Sequence, residues 1–260
     1  VSFAEPDLLG DDEEPFSLDA LERYFLEDSL LDDGAEREAP QDARASLGER
    51  AARLVREGVL PIGLVGKMWE DTLVGELVPV RRAWLELCGR YANEAPKLAV
   101  SLEFDGVHLD DWIDKLRAGE GETVWLMQMS SRVTDSKGAP RGDKLIAGWL
   151  RQLAAASAGA HVTGYLVARD AIVQMRPLEP ASARSRLAAV VALWRRNLDA
   201  PLPVACKSAL ALVQGGDPRA TYDGAYRLSG EGEDECLARL WPDVAALASD
   251  AEWHGGARAP

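Results

Sequence analysis

The sequence predicts a mixed α/β domain, with a central mixed sheet of about five strands carrying helices on both faces. Three observations predict it. Three short segments rich in Val, Leu, Ile, Phe and Trp follow one another from Lys97 to Ser131, separated by glycine-containing turns. A helical segment comes next, with Leu145, Ile146, Trp149, Leu150 and Leu153 recurring at helical spacing and Gly159 as its stop. A hairpin and further helices then complete the chain. With 260 residues, 47% of them hydrophobic, the chain can build a sizeable core.

Taken in order, AEPDLLGDDEEP (4–15) is acidic, carries Pro and Gly, and reads as a solvated linker. FSLDALERYFLEDSLLDD follows as a helix. Ser17 is its expected cap, Asp19 suits its positive end, and Leu18, Leu21, Phe25 and Leu26 form an apolar stripe. A second helix is expected from Ser46 to Glu57, stopped by Gly58. Pro61 keeps the preceding residue extended. A long helix from Leu64 to Ala92 carries Trp69, Leu73, Leu77, Trp84, Leu85 and Leu87, with a bend expected at Pro79.

The central strands are KLAVSLEF, VHLDDWIDKL and TVWLMQMSS. HVTGYLVAR and DAIVQMRPL form a hairpin turning at Arg169–Asp170. ASARSRLAAVVALWRRNLDA is a helix capped at Ser182 or its neighbour, VACKSALALVQG a shorter one, SGEGEDE a flexible acidic loop, and CLARLWPDVAALASD a final helix broken at Pro242. The expected organisation is a helical region at 1–95, an α/β core at 96–200 and a helical extension at 201–260, within one compact domain.

The formal net charge of −14 opposes autonomous binding to a phosphate backbone, which needs clustered Lys and Arg. It leaves room for DNA contact inside a larger complex. Cys88, Cys206 and Cys236 are widely separated and odd in number, as expected of reduced, inert thiols. No apolar run reaches the ~20 residues of a membrane span, so no membrane partner is expected. With no CxxC, and with His108, His161 and His254 isolated, no metal or other cofactor is expected. Phosphate-loop, dinucleotide and hydrolase-elbow motifs are absent.

Carboxylates remain. Asp110, Asp111 and Asp114 crowd one strand, and alternation puts Asp110, Trp112 and Asp114 on one face. A nuclease of the restriction-endonuclease-like class needs two acidic magnesium ligands and a Lys on two adjacent strands followed by a helix. The order of elements fits. The second strand does not, because Trp125-Leu126-Met127-Gln128-Met129-Ser130 holds neither carboxylate nor Lys. Gln152 is followed four residues on by Ala156, without the Gln-x-x-x-Tyr pattern of RecB-like nucleases. The expectation is a degenerate nuclease-like core with no catalytic residue, Asp114 being vestigial. The alternative is an active metal-dependent DNA nuclease with a migrated ligand set, drawn from Asp135, Lys137 and Asp143 in the following loop.

Three segments, EPFSLDALERYFLEDSLL, GVLPIGLVGKMWEDTL and DGAYRLSGEGEDECLARLW, resemble the C-terminal region of RecC, the gamma subunit of exodeoxyribonuclease V (RecBCD). The resemblance implies a nuclease-like fold that has lost its active site. It implies an architectural role in a cytoplasmic helicase–nuclease that processes DNA double-strand ends for recombinational repair, with RecB-like and RecD-like subunits as partners and DNA met within the complex. The expected contact region is the loop with Glu231, Glu233 and Asp234, followed by Trp241, whose core role outweighs an interface role. Replacing the three carboxylates by Ser is expected to leave thermal stability almost unchanged, because exposed charges contribute little.

Overall fold

The computed structural model describes residues 18–32, 38–61, 63–135, 138–226 and 228–249. The linker read at 4–15, Ser17 and Lys137 lie outside them. The chain is mixed α/β, with a five-stranded mixed sheet flanked by helices and a separate two-stranded sheet. Its residues fall into two compact units, each assembled from separated stretches of chain. The first takes 1–96, 115–132 and 164–174; the second takes 97–114, 133–163 and 175–260.

In the first unit, helix α1 (Ala20–Asp32) begins at Asp19. The Asp19 carboxylate accepts from the N–H groups of Leu21 and Glu22 at 2.7 and 2.8 Å, and Glu22 accepts the Asp19 N–H at 2.8 Å. This reciprocal box satisfies orphan donors of the first turn and makes Asp19 a capping residue. The carbonyls at the far end are met by side chains. Arg50 reaches Leu30 at 2.9 Å and Gln128 reaches Leu31 at 2.6 Å.

Helix α2 (Ala43–Arg56) buries Ala43, Leu47 and Ala51 against α3 (Gly63–Arg90). Gly58, at φ 77°, supplies the left-handed residue that ends α2. Helix α3 runs through Pro79 and buries Leu73, Leu77, Trp84 and Leu85 in the principal core. That core takes in Val124, Leu126, Tyr165 and Val167 from the sheet.

The sheet order is β1 (Asn93–Glu94), β4 (Leu116–Gly119), β5 (Glu122–Gln128), β6 (Val162–Val167), β7 (Ile172–Met175). The strands β1, β4 and β5 are antiparallel neighbours. Beyond the ends of β5 and β6, Met129 donates to Val167 and Arg169 to Ser131. Residue numbers rise together across these bonds, as in parallel pairing. Every residue of β6 is buried, as expected of a strand covered on both faces. Gly164 is required there. A Cβ at that position would lie 2.0 Å from the ring of Trp125, which is completely buried.

Four ionic side chains of the first unit form a ring. Glu27 pairs with Arg23 at 2.7 Å and with Arg169 at 2.5 Å; Glu76 pairs with Arg23 and, at 3.3 Å, with Arg169. Glu27 is 5% exposed, so its charge is compensated from two sides, as burial demands. A second buried group joins Glu38 to Arg81 at 3.1 Å and to Arg50 at 3.5 Å.

In the second unit, β2 (Leu98–Phe104) and β3 (Val107–Ile113) form a seven-residue antiparallel hairpin. Its turn is Asp105-Gly106, both at positive φ, the conformation that matches strand twist in a two-residue loop. Helix α4 (Gly142–Ser157) packs along α5 (Pro180–Asp199). The cap of α5 is Glu179, which accepts from Ala181 and Ser182, rather than Ser182 itself. Shorter helices follow: α6 (Cys206–Val213), α7 (Arg219–Tyr222), α8 (Glu235–Leu240) and α9 (Val244–Ser249). The expected final helix is interrupted at Trp241–Asp243, around Pro242.

Two expectations about the central strands are corrected. VHLDDWIDKL is not one strand: it ends at Ile113, and Lys115 at φ 53° turns the chain into β4. The expected pairing of this strand with TVWLMQMSS fails for β3, which lies in a different sheet from β5; only Leu116, already in β4, stands opposite Trp125. Hairpin closure through Asp105-Gly106 and Glu120-Gly121 pairs each strand with its sequence neighbour, which the strand–strand–helix template had ignored.

Candidate functional site

Asp114 stands just past the end of β3, with its side chain 47% exposed. Its partner is Arg151 of α4. One guanidinium nitrogen lies 3.2 Å from the carboxylate Oδ1 and 2.6 Å from the Asp114 carbonyl oxygen. Arg151 is the more buried of the two, and it supplies a cation where a nuclease-like site would need a metal. A divalent ion at this carboxylate would face the positive charge of Arg151, and like charges repel. The arrangement fastens the β3–β4 turn to α4.

The neighbouring carboxylates are engaged locally. Asp110 accepts from the Ser101 hydroxyl at 2.6 Å, and Asp111 from the N–H of Trp112 at 2.7 Å. Asp135 accepts from the Ala139 N–H at 2.8 Å within its loop. Asp143 pairs with Arg141 at 3.2 Å in the first turn of α4. Among the described residues no group of three or more His, Cys, Asp or Glu side chains could hold a metal ion. His108 is exposed on β3 opposite Glu103. Gln152 is buried and donates to the carbonyls of Val162 at 2.8 Å and Arg176 at 3.0 Å, a structural use of its amide.

On β5, Trp125 and Leu126 are buried and Gln128 holds the end of α1. The strand that would carry the second ligand and Lys of a nuclease is committed to core and capping. Of the three cysteines, Cys88 is buried and Cys236 exposed. Burial, reinforced by the carboxylates of Glu231 and Asp143, pushes the Cys206 thiol up, which favours the unreactive protonated form.

The loop expected to meet partners has work of its own. The Glu231 carboxylate accepts from the N–H groups of Lys207 and Ser208 at 2.9 and 2.7 Å, and from the Ser208 hydroxyl at 2.8 Å, closing the first turn of α6. Glu233 accepts the Gly230 N–H at 3.1 Å. Asp234 caps α8 through Cys236 and Leu237. The expected neutrality of replacing all three is therefore corrected: these carboxylates satisfy backbone donors. Trp241 is buried with Tyr222, Val244 and Leu247, and its carbonyl accepts the Tyr222 hydroxyl at 2.6 Å.

Sequence reasoning missed the Arg151 partner of Asp114, because nothing in the spacing of residues 37 apart announces it. It also passed over the exposed end of α5. There the signal was present: Trp194 and Leu198 continue, at helical spacing, the stripe begun by Ala183 and Leu187.

The family model described as the RecC C-terminal domain matches residues 1–217. The match covers two of the three segments on which the resemblance rested, while DGAYRLSGEGEDECLARLW lies beyond it. No curated protein matches the chain.

Proposed function

Because the chain belongs to the RecC C-terminal domain family, which implies a RecBCD-related role in DNA processing, we propose that it is a non-catalytic assembly domain of a RecC-like subunit. In this reading it acts in the cytoplasm, in processing DNA double-strand ends for recombinational repair. RecB-like and RecD-like subunits are its partners, and they supply motor and nuclease activities. The observation that carries the proposal is the pairing of Asp114 with Arg151 in place of a second carboxylate. A degenerate relative of a nuclease core can keep one acidic position when that residue has acquired a structural use. No described helix is long and apolar enough to cross a membrane.

Among the expected contact residues, Glu233 and Asp234 are exposed and stay in the proposal as partner contacts. Glu231 and Trp241 act first within their own unit. A net charge of −14 leaves DNA contact to the assembled complex rather than to this chain alone.

The test is twofold. The full chain, incubated with duplex and single-stranded DNA in magnesium or manganese, should release no nucleotides. It should co-purify with RecB-like and RecD-like subunits when these are co-expressed. Metal-dependent cleavage that survives purification and disappears in Asp114→Ala would overturn the reading in favour of a nuclease with a migrated ligand set.

A further inference from the structure

Helix α5 carries an apolar stripe made by Ala183, Leu187, Val190, Val191, Trp194 and Leu198, which recur at three- and four-residue intervals along one face. The first half of the stripe is covered: Ala183 and Leu187 are buried, and α5 packs along α4. The second half is not. Trp194 is 53% and Leu198 66% exposed, on the same face and within the last two turns. A helix that continues its buried stripe into solvent has the pattern of a face completed by something else.

The chemistry around the stripe selects the occupant. Helix α5 holds Arg184, Arg186, Arg195 and Arg196 against Asp199 alone, a net charge of +3 on a chain of −14, which leaves −17 to the remainder. The exposed end of the stripe therefore sits in a cationic helix of an acidic protein. Arg184 and Arg195 are among those anchored within their own unit. Arg184 donates to the Glu103 carbonyl at 2.9 Å and lies over the Phe104 ring, and Arg195 donates to the Asp105 carbonyl at 2.8 Å. They contribute positive field while some of their donors are occupied. That local positive field suits an acidic protein surface, whereas the net charge of −14 on the whole chain opposes a phosphate backbone. Trp and Arg are also the residue types that dominate binding energy at protein interfaces.

We propose that the C-terminal two turns of α5, centred on Trp194 and Leu198, dock a segment of a partner subunit with an apolar face and an acidic rim. The inference rests on the assembly reading above and assigns it a surface. Trp194 and Leu198 anchor the contact, and Arg195 and Arg196 fix its polarity.

The experiment uses the full chain co-expressed with its RecB-like and RecD-like subunits, with the Kd for assembly measured at two salt concentrations. Both anchors are solvent-exposed, so Trp194→Ala combined with Leu198→Ser should keep the melting temperature of the isolated chain. The same double variant should weaken assembly at least tenfold. Arg196→Glu should weaken it further at low salt than at high salt. Unchanged assembly by the double variant overturns the surface while leaving the assembly function standing. Wild-type chain that assembles with neither subunit overturns both. A wild-type dimer abolished by the double variant would assign the face to a second copy, and single-stranded DNA binding lost in that variant would assign it to nucleic acid; either result overturns the proposal.

Discussion

The Arg151 guanidinium lies 3.2 Å from the Asp114 carboxylate and 2.6 Å from the carbonyl of the same residue, so one cation holds both side chain and backbone of the β3–β4 turn. Removal of the carboxylate alone should be mild. Asp114→Ala should cost about 0.2–1 kcal/mol in chemical denaturation, the range of a half-exposed ion pair. Arg151→Ala should cost more, because it also removes the donor to the carbonyl. Equal, negligible effects of the two substitutions would show that the pair does not hold the turn.

Glu231 closes the first turn of α6 from a loop more than twenty residues away in sequence. Glu231→Ala should destabilise the protein by about 1–2 kcal/mol, within the range for loss of a helix cap. Thermal melting of the variant measures it, and an unchanged melting temperature would return Glu231 to the status of an exposed charge.

Glu179 gives a pH dependence. The N–H groups of Ala181 and then Ser182 hold its carboxyl below the ordinary range, by stabilising the charged form. A carboxylate with a depressed folded-state pKa stabilises the fold above its unfolded value of about 4.3, and that contribution is lost as pH falls through the folded value. Glu179→Ala should therefore melt earlier than wild type at pH 7. The difference should shrink with acidification through pH ~4 and approach zero below the folded pKa. A gap independent of pH would rule out the carboxylate as the cause.

Gly164 faces the Trp125 indole, with a substituted Cβ only 2.0 Å from the ring. Gly164→Ala should cost about 1–3 kcal/mol through overpacking. The double change Gly164→Ala, Trp125→Leu should recover part of what each single change loses, and strict additivity in denaturant melts would refute the contact.

The thiols should separate by rate. Under native conditions at neutral pH, a disulfide reagent should modify exposed Cys236 first, Cys206 slowly, and buried Cys88 only on unfolding. Rapid modification of Cys206 would contradict its raised pKa.

Much of the secondary structure was legible, because it is encoded locally. The stripe of α4, Gly58, Gly159 and the Arg169–Asp170 turn needed only nearest neighbours to read. The sheets were not. β3 resembles a strand of the main sheet in composition, yet the Asp105-Gly106 turn pairs it with β2, and a left-handed Lys115 separates it from β4. The candidate site was legible as an absence, since WLMQMS visibly lacks a ligand set. Its structural replacement was not, because Arg151 reaches Asp114 through tertiary packing. Polar side chains at Glu231 and Asp234 read as solvated acid and prove to be caps, a distinction set by where the neighbouring helices begin.

The ionic ring around Glu27 has a consequence for synthesis in time. Its two cations are 4 and 142 residues away in the chain. Arg23 leaves the ribosome beside Glu27, whereas Arg169 follows after roughly 7–30 s at translation rates of about 5–20 residues per second. Throughout that interval the carboxylate lacks the Arg169 half of its eventual compensation, and full burial of α1 is disfavoured until the β6–β7 turn arrives. The N-terminal helices of this chain thus wait, still hydrated at this point, for a residue made long after them.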